Sequence, residues 1–235
     1  MIKTYFDDSK DLFTSLILVL PLFILYQLGV LLTGGVRNGV DFVSDFFWTL
    51  ASGELLHYLG INLIILIAFG VAIFLLREKG KFDPKLWPVV IGESTLYALC
   101  LGSAVLFLMS SLGLDKLLAS GVKDFGIFSS FIMSIGAGLY EEIVFRLLLM
   151  GGLFWGISKV PKFPKIGAAL ISVVVSSLIF SAIHYVGNMA DPFTLGSFSF
   201  RFFAGVILAV IFYVRGFAVA VYTHAIYDII VMVFR

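Results

Sequence analysis

Residues 128–152 read FSSFIMSIGAGLYEEIVFRLLLMGG, an apolar run that carries two glutamates and an arginine near its middle. About 20 apolar residues are enough to cross the hydrocarbon core of a bilayer. A charged side chain at the centre of such a helix costs about 2.5–3.5 kcal/mol on insertion scales, so it is retained for a function or with a partner. The segment therefore predicts a transmembrane helix that brings Glu141, Glu142 and Arg146 into the interior of a helical bundle.

The rest of the chain has the same apolar character. Of its 235 residues, 60% are apolar and 13% are charged, against roughly 45–50% and about 25% in soluble domains. Apolar runs recur along the whole sequence, near 12–32, 58–76, 89–112, 128–152, 166–186, 199–214 and 216–235. This pattern predicts an all-α, polytopic transmembrane bundle of about seven spans, and it excludes a soluble catalytic module on a membrane anchor.

We divide the chain into two parts. Residues 1–127 hold three spans, and within them 41–57 is interpreted as an interfacial amphipathic helix or as an extension of the second span. Residues 128–235 hold the spans that carry most of the buried charges. The first span follows a mixed-charge lead and lacks a small-residue cleavage site, so we expect it to be retained rather than removed as a signal peptide.

Lysine and arginine are unevenly distributed between the two sides of the predicted bundle. If the N-terminus is cytoplasmic, ten lie on the inside and five on the outside, and the positive-inside rule then favours a cytoplasmic N-terminus and an external C-terminus. The inside set is Lys3, Lys10, Arg77, Lys79, Lys81, Lys85, Lys159, Lys162, Lys165 and Arg215. The outside set is Arg37, Lys116, Lys123, Arg201 and Arg235.

Other spans carry titratable side chains as well. The fifth ends in LIFSAIHYV with His184, and the seventh contains VYTHAIYDIIVMVF with His224 and Asp228. The third carries Glu93, for which we expect a polar contact between helices. His57 lies at a predicted interface and is assigned no role.

The spacing of these residues along each helix predicts which side chains share a helix face. Glu142 and Arg146 are four residues apart and share a helix face, which predicts an ion pair, whereas Glu141 points about 100° away from Glu142. His224 and Asp228 are also four apart, so they present an imidazole and a carboxylate side by side. One free carboxylate, two imidazoles and a second acid on three spans are the parts of a hydrolytic site that activates water by a general base or by a metal.

These residues resemble the CPBP intramembrane proteases, the family of the type II CAAX prenyl endopeptidases and of bacteriocin-processing or immunity proteins. The family pattern is E-E-x-x-x-R, then F-x-x-x-H, then H-x-x-x-N/D. The chain has Glu141-Glu142-Ile-Val-Phe-Arg146, Phe180-Ser-Ala-Ile-His184 and His224-Ala-Ile-Tyr-Asp228, in that order and on separate spans. Asp228 occupies a position where many relatives have Asn.

The resemblance implies a peptidase in a prokaryotic cell membrane that cleaves a membrane-associated or exported peptide or protein. By position, Glu141 and His184 would activate water, and His224 with Asp228 would stabilise the oxyanion. Glu142 and Arg146 would be structural or would orient the substrate. No cofactor is implied by this mechanism. Because His184 lies near the outer end of its span, we expect a site that opens outward or laterally, which argues against prenylated proteins of the cytoplasmic leaflet.

Alternatives remain open at this stage. Glu141, His184 and His224 are a ligand set suited to catalytic zinc, although no H-E-x-x-H motif is present. A proton-coupled transporter would also place Glu, His and Arg in mid-span, and an immunity-type binding protein would keep the same fold. The net charge of +1 gives no reason to expect nucleic acid as a partner, and the sequence does not determine the oligomeric state.

Overall fold

The fold is all-helical, as predicted. A computed structural model describes residues 2–33, 50, 54–78, 80, 82–114, 126–186 and 190–234, and all regular structure in these ranges is helical. The elements are α1 (Ile2–Lys10), α2 (Leu12–Leu32), α3 (Leu55–Leu76), α4 (Leu86–Ser111), α5 (Ile127–Gly136), a π-helix (Ala137–Met150), α6 (Gly151–Ile157), α7 (Lys165–Ile183), α8 (Leu195–Arg215) and α9 (Phe217–Val233).

The prediction of about seven spans is roughly compatible with the helices of the described residues. Each predicted span corresponds to one helix, except that the fourth corresponds to α5, the π-helix and α6 in series. Within the described residues, α2, α3, α4, α7 and α8 are long and apolar enough to cross a bilayer, and α9 is a shorter apolar helix. Of the segment 41–57, residues 55–57 begin α3, whereas 41–49 and 51–53 lie outside the described residues.

The span that carries Glu141 and Glu142 is not a uniform α-helix. α5 passes at Ala137 into a π-helix of 14 residues, which passes at Gly151 into α6, and the backbone stays right-handed helical at both junctions. Hydrogen bonds in a π-helix run over five residues instead of four, so each residue turns by less than it would in an α-helix. Most π-helical segments are single turns, frequently at functional sites. This long one changes the directions in which the charged side chains point.

α9 is the central helix of the bundle. Residues 217–225 are buried throughout, and α9 packs against α2, α4, α5, the π-helix and α8. The approach to the π-helix is close because Gly138 faces Ala225, and a Cβ at Gly138 would lie 2.6 Å from the Ala225 backbone nitrogen. From residue 226 onward α9 is partly exposed.

The N-terminal helix α1 was not predicted from the sequence. It contacts α2, α4, α8 and α9. Asp11 separates it from α2 and caps α2, since its carboxylate accepts a hydrogen bond from the Thr14 N–H at 2.9 Å. Gly216, between α8 and α9, has a φ of 93°, and a Cβ there would lie 2.8 Å from Lys10 Cα. A glycine is therefore needed both for the turn and for the docking of α1.

Arg215 is buried at the end of α8, although the sequence analysis placed it among the cations between spans. Its Nε lies 2.5 Å from Glu93 Oε1 and its Nη2 lies 2.9 Å from Glu93 Oε2. Nη2 also donates to Ser9 Oγ at 3.0 Å, and the hydroxyls of Tyr5 and Tyr97 donate to the Glu93 carboxylate. The predicted polar contact of Glu93 is confirmed. We refer to these residues as the Glu93–Arg215 cluster, which joins α1, α4 and α8.

Apolar side chains cover the outside of α3 and α4. Ile64 on α3 and Phe107 on α4 are 68% and 72% exposed, and Cys100 on α4 is exposed as well. Such surfaces are expected where a bundle faces lipid.

Candidate active site

Glu142 and Arg146 form the buried ion pair that their spacing predicts. Arg146 Nη1 lies 2.9 Å from Glu142 Oε1, and the two side chains are 1% and 0% exposed. Arg146 Nη2 also donates to the Gly205 carbonyl of α8 at 3.4 Å. The guanidinium lies 4.3 Å from the centre of the Phe180 ring on α7, a favourable cation–π distance. One arginine thus connects the π-helix to α7 and α8.

The imidazole of His224 lies among three carboxyl groups. Its Nδ1 is 2.8 Å from Glu142 Oε1, the oxygen that also pairs with Arg146. Its Nε2 is 3.7 Å from Glu141 Oε2 and 3.6 Å from Asp228 Oδ2. These two distances are too long for direct hydrogen bonds, and they suit a charge interaction or a bridging water. The predicted shared face of His224 and Asp228 is confirmed.

The two adjacent glutamates approach opposite nitrogens of the same ring. An ionised carboxylate can only accept, so His224 Nδ1–H donates a hydrogen bond to Glu142, and this contact fixes the orientation of the ring. Nε2 is then the atom that faces Glu141 and Asp228. The contact between Glu142 and His224 was not predicted, because it depends on how α9 packs against the π-helix.

His184 lies at the C-terminal cap of α7. Its Nδ1 is 2.8 Å from the Phe180 carbonyl oxygen. Since a carbonyl only accepts, Nδ1 carries a proton, and Nε2 holds the lone pair when the ring is neutral. The hydrogen bonds and ion pairs among the described residues do not include one between His184 and Glu141, so their pairing stays a prediction.

Phe180 connects the two histidines. Its ring centroid lies 5.1 Å from that of His184 and 6.1 Å from that of His224, with edge-to-face geometry in both cases. The Phe of F-x-x-x-H therefore packs against Arg146 and both imidazoles. The sequence analysis assigned no function to Phe180 beyond its place in the motif.

Accessibility differs across the site. The side chain of Glu142 is fully buried, whereas that of Asp228 is 21% exposed. Beside His184, at the same end of the bundle, Arg201 pairs with Asp191. Sequence reasoning counted Arg201 only as an outside cation. α8 begins at Leu195, before the predicted span, so Arg201 lies in its second turn.

The suggested zinc ligands do not assemble around one point. In the described part of the chain, no group of three or more His, Cys, Asp or Glu side chains has a geometry that could hold a metal ion. His224 Nδ1 is engaged by Glu142, and His184 Nδ1 by the Phe180 carbonyl. We therefore derive no catalytic step through a metal, and zinc stays an alternative hypothesis for a direct test.

Comparison with known protein families gives a match to the segment that carries the site. The family model described as type II CAAX prenyl endopeptidase Rce1-like matches residues 123–230. Residues 123–230 are similar to the Rce1-like family. The Rce1-like segment contains all three motifs and every side chain of the candidate site. Comparisons with curated proteins and with solved structures found no match. The resemblance to CPBP proteases is thus confirmed, and the family indicates a peptidase of the membrane.

Proposed function

We propose that the chain is an intramembrane endopeptidase that hydrolyses a peptide bond of a membrane-associated substrate, with the reaction centred on His224. The observation that carries this proposal is the position of the His224 ring, which is held by Glu142 at Nδ1 and faces Glu141 and Asp228 with Nε2. Within an Rce1-like segment, such a cluster supplies both a base and a donor for acyl transfer.

Glu141 is the proposed general base. Its carboxylate lies 3.7 Å from His224 Nε2, a distance that leaves room for a water or a carbonyl oxygen between them. Glu141 would take a proton from the attacking water. The Nε2 lone pair of neutral His184 would accept the second hydrogen bond of that water and orient it toward the scissile carbonyl.

His224 is the proposed oxyanion donor, and Asp228 is its counter-ion. To donate, the ring must carry a proton on Nε2, where Asp228 lies 3.6 Å away. Glu142 fixes the ring from the other side. An ionised Asp228 cannot itself donate to an oxyanion, so we assign it to orienting and charging His224, a role that carboxylates commonly have beside functional imidazoles.

The family description makes a prenylated CAAX-type C-terminus the first substrate to test. The position of His184 relative to the two membrane faces favours a second candidate substrate. With the N-terminus cytoplasmic, as the basic residues suggest, α7 runs outward and His184 lies at its outer end. An exported or membrane-anchored peptide would reach that end, whereas a prenylated protein on the cytoplasmic leaflet would not.

Cleavage by the full-length chain in liposomes tests the function. The probes are an internally quenched farnesylated CAAX peptide and an internally quenched apolar peptide that spans the bilayer. Glu141→Gln keeps the shape and hydrogen bonding but removes the base, so we expect a loss of about 10²–10⁴-fold with unchanged thermal stability. The matched control is Glu54→Gln, at an exposed glutamate before α3, which should cleave like the wild type.

Three results would contradict the proposal. In the first, the wild type cleaves neither probe. In the second, Glu141→Gln cleaves as well as the wild type. In the third, the liposomes take up protons or solutes, and Glu141→Gln abolishes this uptake. The last would favour a transporter. Metal analysis of the purified protein with a chelator titration distinguishes the zinc mechanism, because zinc-dependent cleavage would stop on chelation and return with added metal.

A further inference from the structure

Arg201 is held next to His184 by two direct contacts, whose partners are themselves held in place. Its Nη1 donates to the Tyr185 hydroxyl at 2.9 Å, and its Nη2 lies 2.6 Å from Asp191 Oδ2. The Tyr185 oxygen is also 2.6 Å from Ser197 Oγ, and the Asp191 backbone N–H donates to the His184 carbonyl at 3.0 Å. The guanidinium is therefore held in a defined position relative to the predicted catalytic histidine.

Arg201 differs in accessibility from the two enclosed arginines in the spans. Its side chain is 24% exposed, and that of its partner Asp191 is 34% exposed. The side chains of Arg146 and Arg215 are only 1% and 5% exposed. Asp228, at 21% exposed, is the most accessible of the three carboxyl groups around His224. Arg201 therefore lies at the accessible edge of the site.

The chemistry of this position is that of a carboxylate receptor. A guanidinium has five N–H donors in one plane and binds carboxylates in a bidentate manner. Tyr185 and Asp191 use one donor on each terminal nitrogen, which leaves further donors for a ligand. An arginine that is already oriented loses less conformational freedom on binding than a free one.

We propose that Arg201 binds a carboxylate of the peptide substrate, either an acidic side chain or a free C-terminus, and positions the peptide against His184. Asp191 is a competing anion that holds Arg201 when no substrate is bound. This inference rests on the proposed peptidase function, whose substrate class it narrows to peptides with a negative charge near the scissile bond.

Peptide binding tests the inference separately from catalysis. The full chain with Glu141→Gln is reconstituted in phosphatidylcholine liposomes and titrated with three forms of one apolar fluorescent peptide. These forms have a C-terminal carboxylate, a C-terminal carboxamide, or a carboxamide with one internal glutamate. At least one of the anionic forms should bind about tenfold tighter than the neutral form, and the form that does so identifies the source of the carboxylate.

Two substitutions should act in opposite directions. Arg201→Gln should abolish the preference for the anionic peptide, whereas Asp191→Asn should increase it because the competing anion is removed. If the Arg201–Asp191 pair is merely structural, both substitutions will weaken the binding of all three peptides equally. That result would overturn the proposal. Arg201→Lys keeps the positive charge and replaces Arg201→Gln in the experiment if the latter does not fold. It should retain part of the preference for the anionic peptide.

Further outcomes distinguish a lipid ligand from a peptide ligand, and the role of Arg201 from the peptidase function. If Arg201 instead changes binding only in liposomes that contain phosphatidylglycerol, independently of peptide charge, its ligand is a lipid headgroup and the proposal fails. In the cleavage assay, Arg201→Gln should raise KM for the anionic peptide more than it lowers kcat. Cleavage without any charge preference would refute the role of Arg201 alone. A charge preference in binding without any cleavage would refute the peptidase function alone.

Discussion

Two glutamate–arginine pairs lie inside the described part of the bundle, and the difference that matters for function is in their neighbours. The Glu93–Arg215 pair is 2.5 Å apart and the Glu142–Arg146 pair is 2.9 Å apart. Around Glu93 and Arg215 the other partners are hydroxyls and one backbone carbonyl, so one charge balances the other. Around Glu142 the next group is the imidazole of His224, which faces two further carboxyls.

The comparison shows that a charge inside a membrane protein does not by itself mark a reactive site. A closed pair surrounded by neutral donors has no free lone pair for chemistry, and it locks helices together. A pair that shares an oxygen with a titratable ring, with two further carboxyl groups near that ring, can bind and transfer protons. We therefore expect substitutions in the two pairs to affect different properties.

Of the two pairs, the larger combined effect on cleavage and stability is expected at Glu142. Glu142→Gln leaves Arg146 without its counter-charge and weakens the anchor of His224, so cleavage should fall about 10–100-fold and the free energy of unfolding by about 3 kcal/mol. The double variant Glu142→Leu/Arg146→Met removes both charges and should recover stability but not cleavage. Thermal unfolding and the liposome assay measure the two properties. Recovery of cleavage in the double variant would show that Glu142 has no role at His224.

A large effect on stability alone is expected at Glu93. Glu93→Gln leaves Arg215 buried without an anion and should lower the free energy of unfolding by about 3 kcal/mol, while kcat of the folded protein stays at the wild-type value. The double variant Glu93→Leu/Arg215→Met should be more stable than the single one. A loss of kcat with intact thermal stability would mean that the Glu93–Arg215 cluster takes part in catalysis, and the distinction between the pairs would fail.

The smallest effect is expected at Tyr5, on the outermost helix of the Glu93–Arg215 cluster. Tyr5→Phe removes one hydrogen bond to the Glu93 carboxylate and should destabilise the protein by about 1 kcal/mol at neutral pH. Burial, together with the hydrogen bond to Glu93 and its negative charge, raises the pKa of Tyr5 above its ordinary value of 10.0. The phenol of the unfolded chain therefore ionises first as the pH rises.

This order of ionisation fixes the sign of the pH dependence. The unfolded state loses its Tyr5 proton above about pH 10 while the folded state retains it, so the contribution of Tyr5 to stability is complete below pH 10 and decreases above it. The stability difference between the wild type and Tyr5→Phe should shrink between pH 9 and pH 11 when unfolding is followed at each pH. A difference that grows over this interval would show that Tyr5 is ionised in the folded protein.

Local sequence features were enough to predict the parts of the molecule that depend on one helix at a time. The apolar runs located the spans because burial in lipid requires helices of a minimum length. The spacing of four residues located the Glu142–Arg146 pair and the shared face of His224 and Asp228. Both are confirmed, because each depends on neighbouring turns of one helix.

Features that depend on two helices were not predictable in this way. The bond between Glu142 and His224 joins residues 82 positions apart, and it requires Gly138 to let α9 approach the π-helix. The π-helix itself leaves no signal in the apolar pattern. Arg215 was counted among the inside cations because its partners Glu93 and Ser9 lie on distant helices. Arg201 was missed as a site residue for the same reason, since Asp191 and Tyr185 approach it only after folding.

The exposure of Cys100 has a practical consequence for the study of membrane orientation. It is the only cysteine in the chain and is exposed on the surface of α4, so its replacement by serine removes no buried contact. The resulting cysteine-free protein can carry one reporter thiol at a time, for example at Lys85 before α4 or at Thr194 before α8, which the predicted topology places on opposite sides of the membrane. Impermeant maleimide applied to intact cells would modify only the thiol that faces the outside, and that assignment would determine which population of substrates can reach His184.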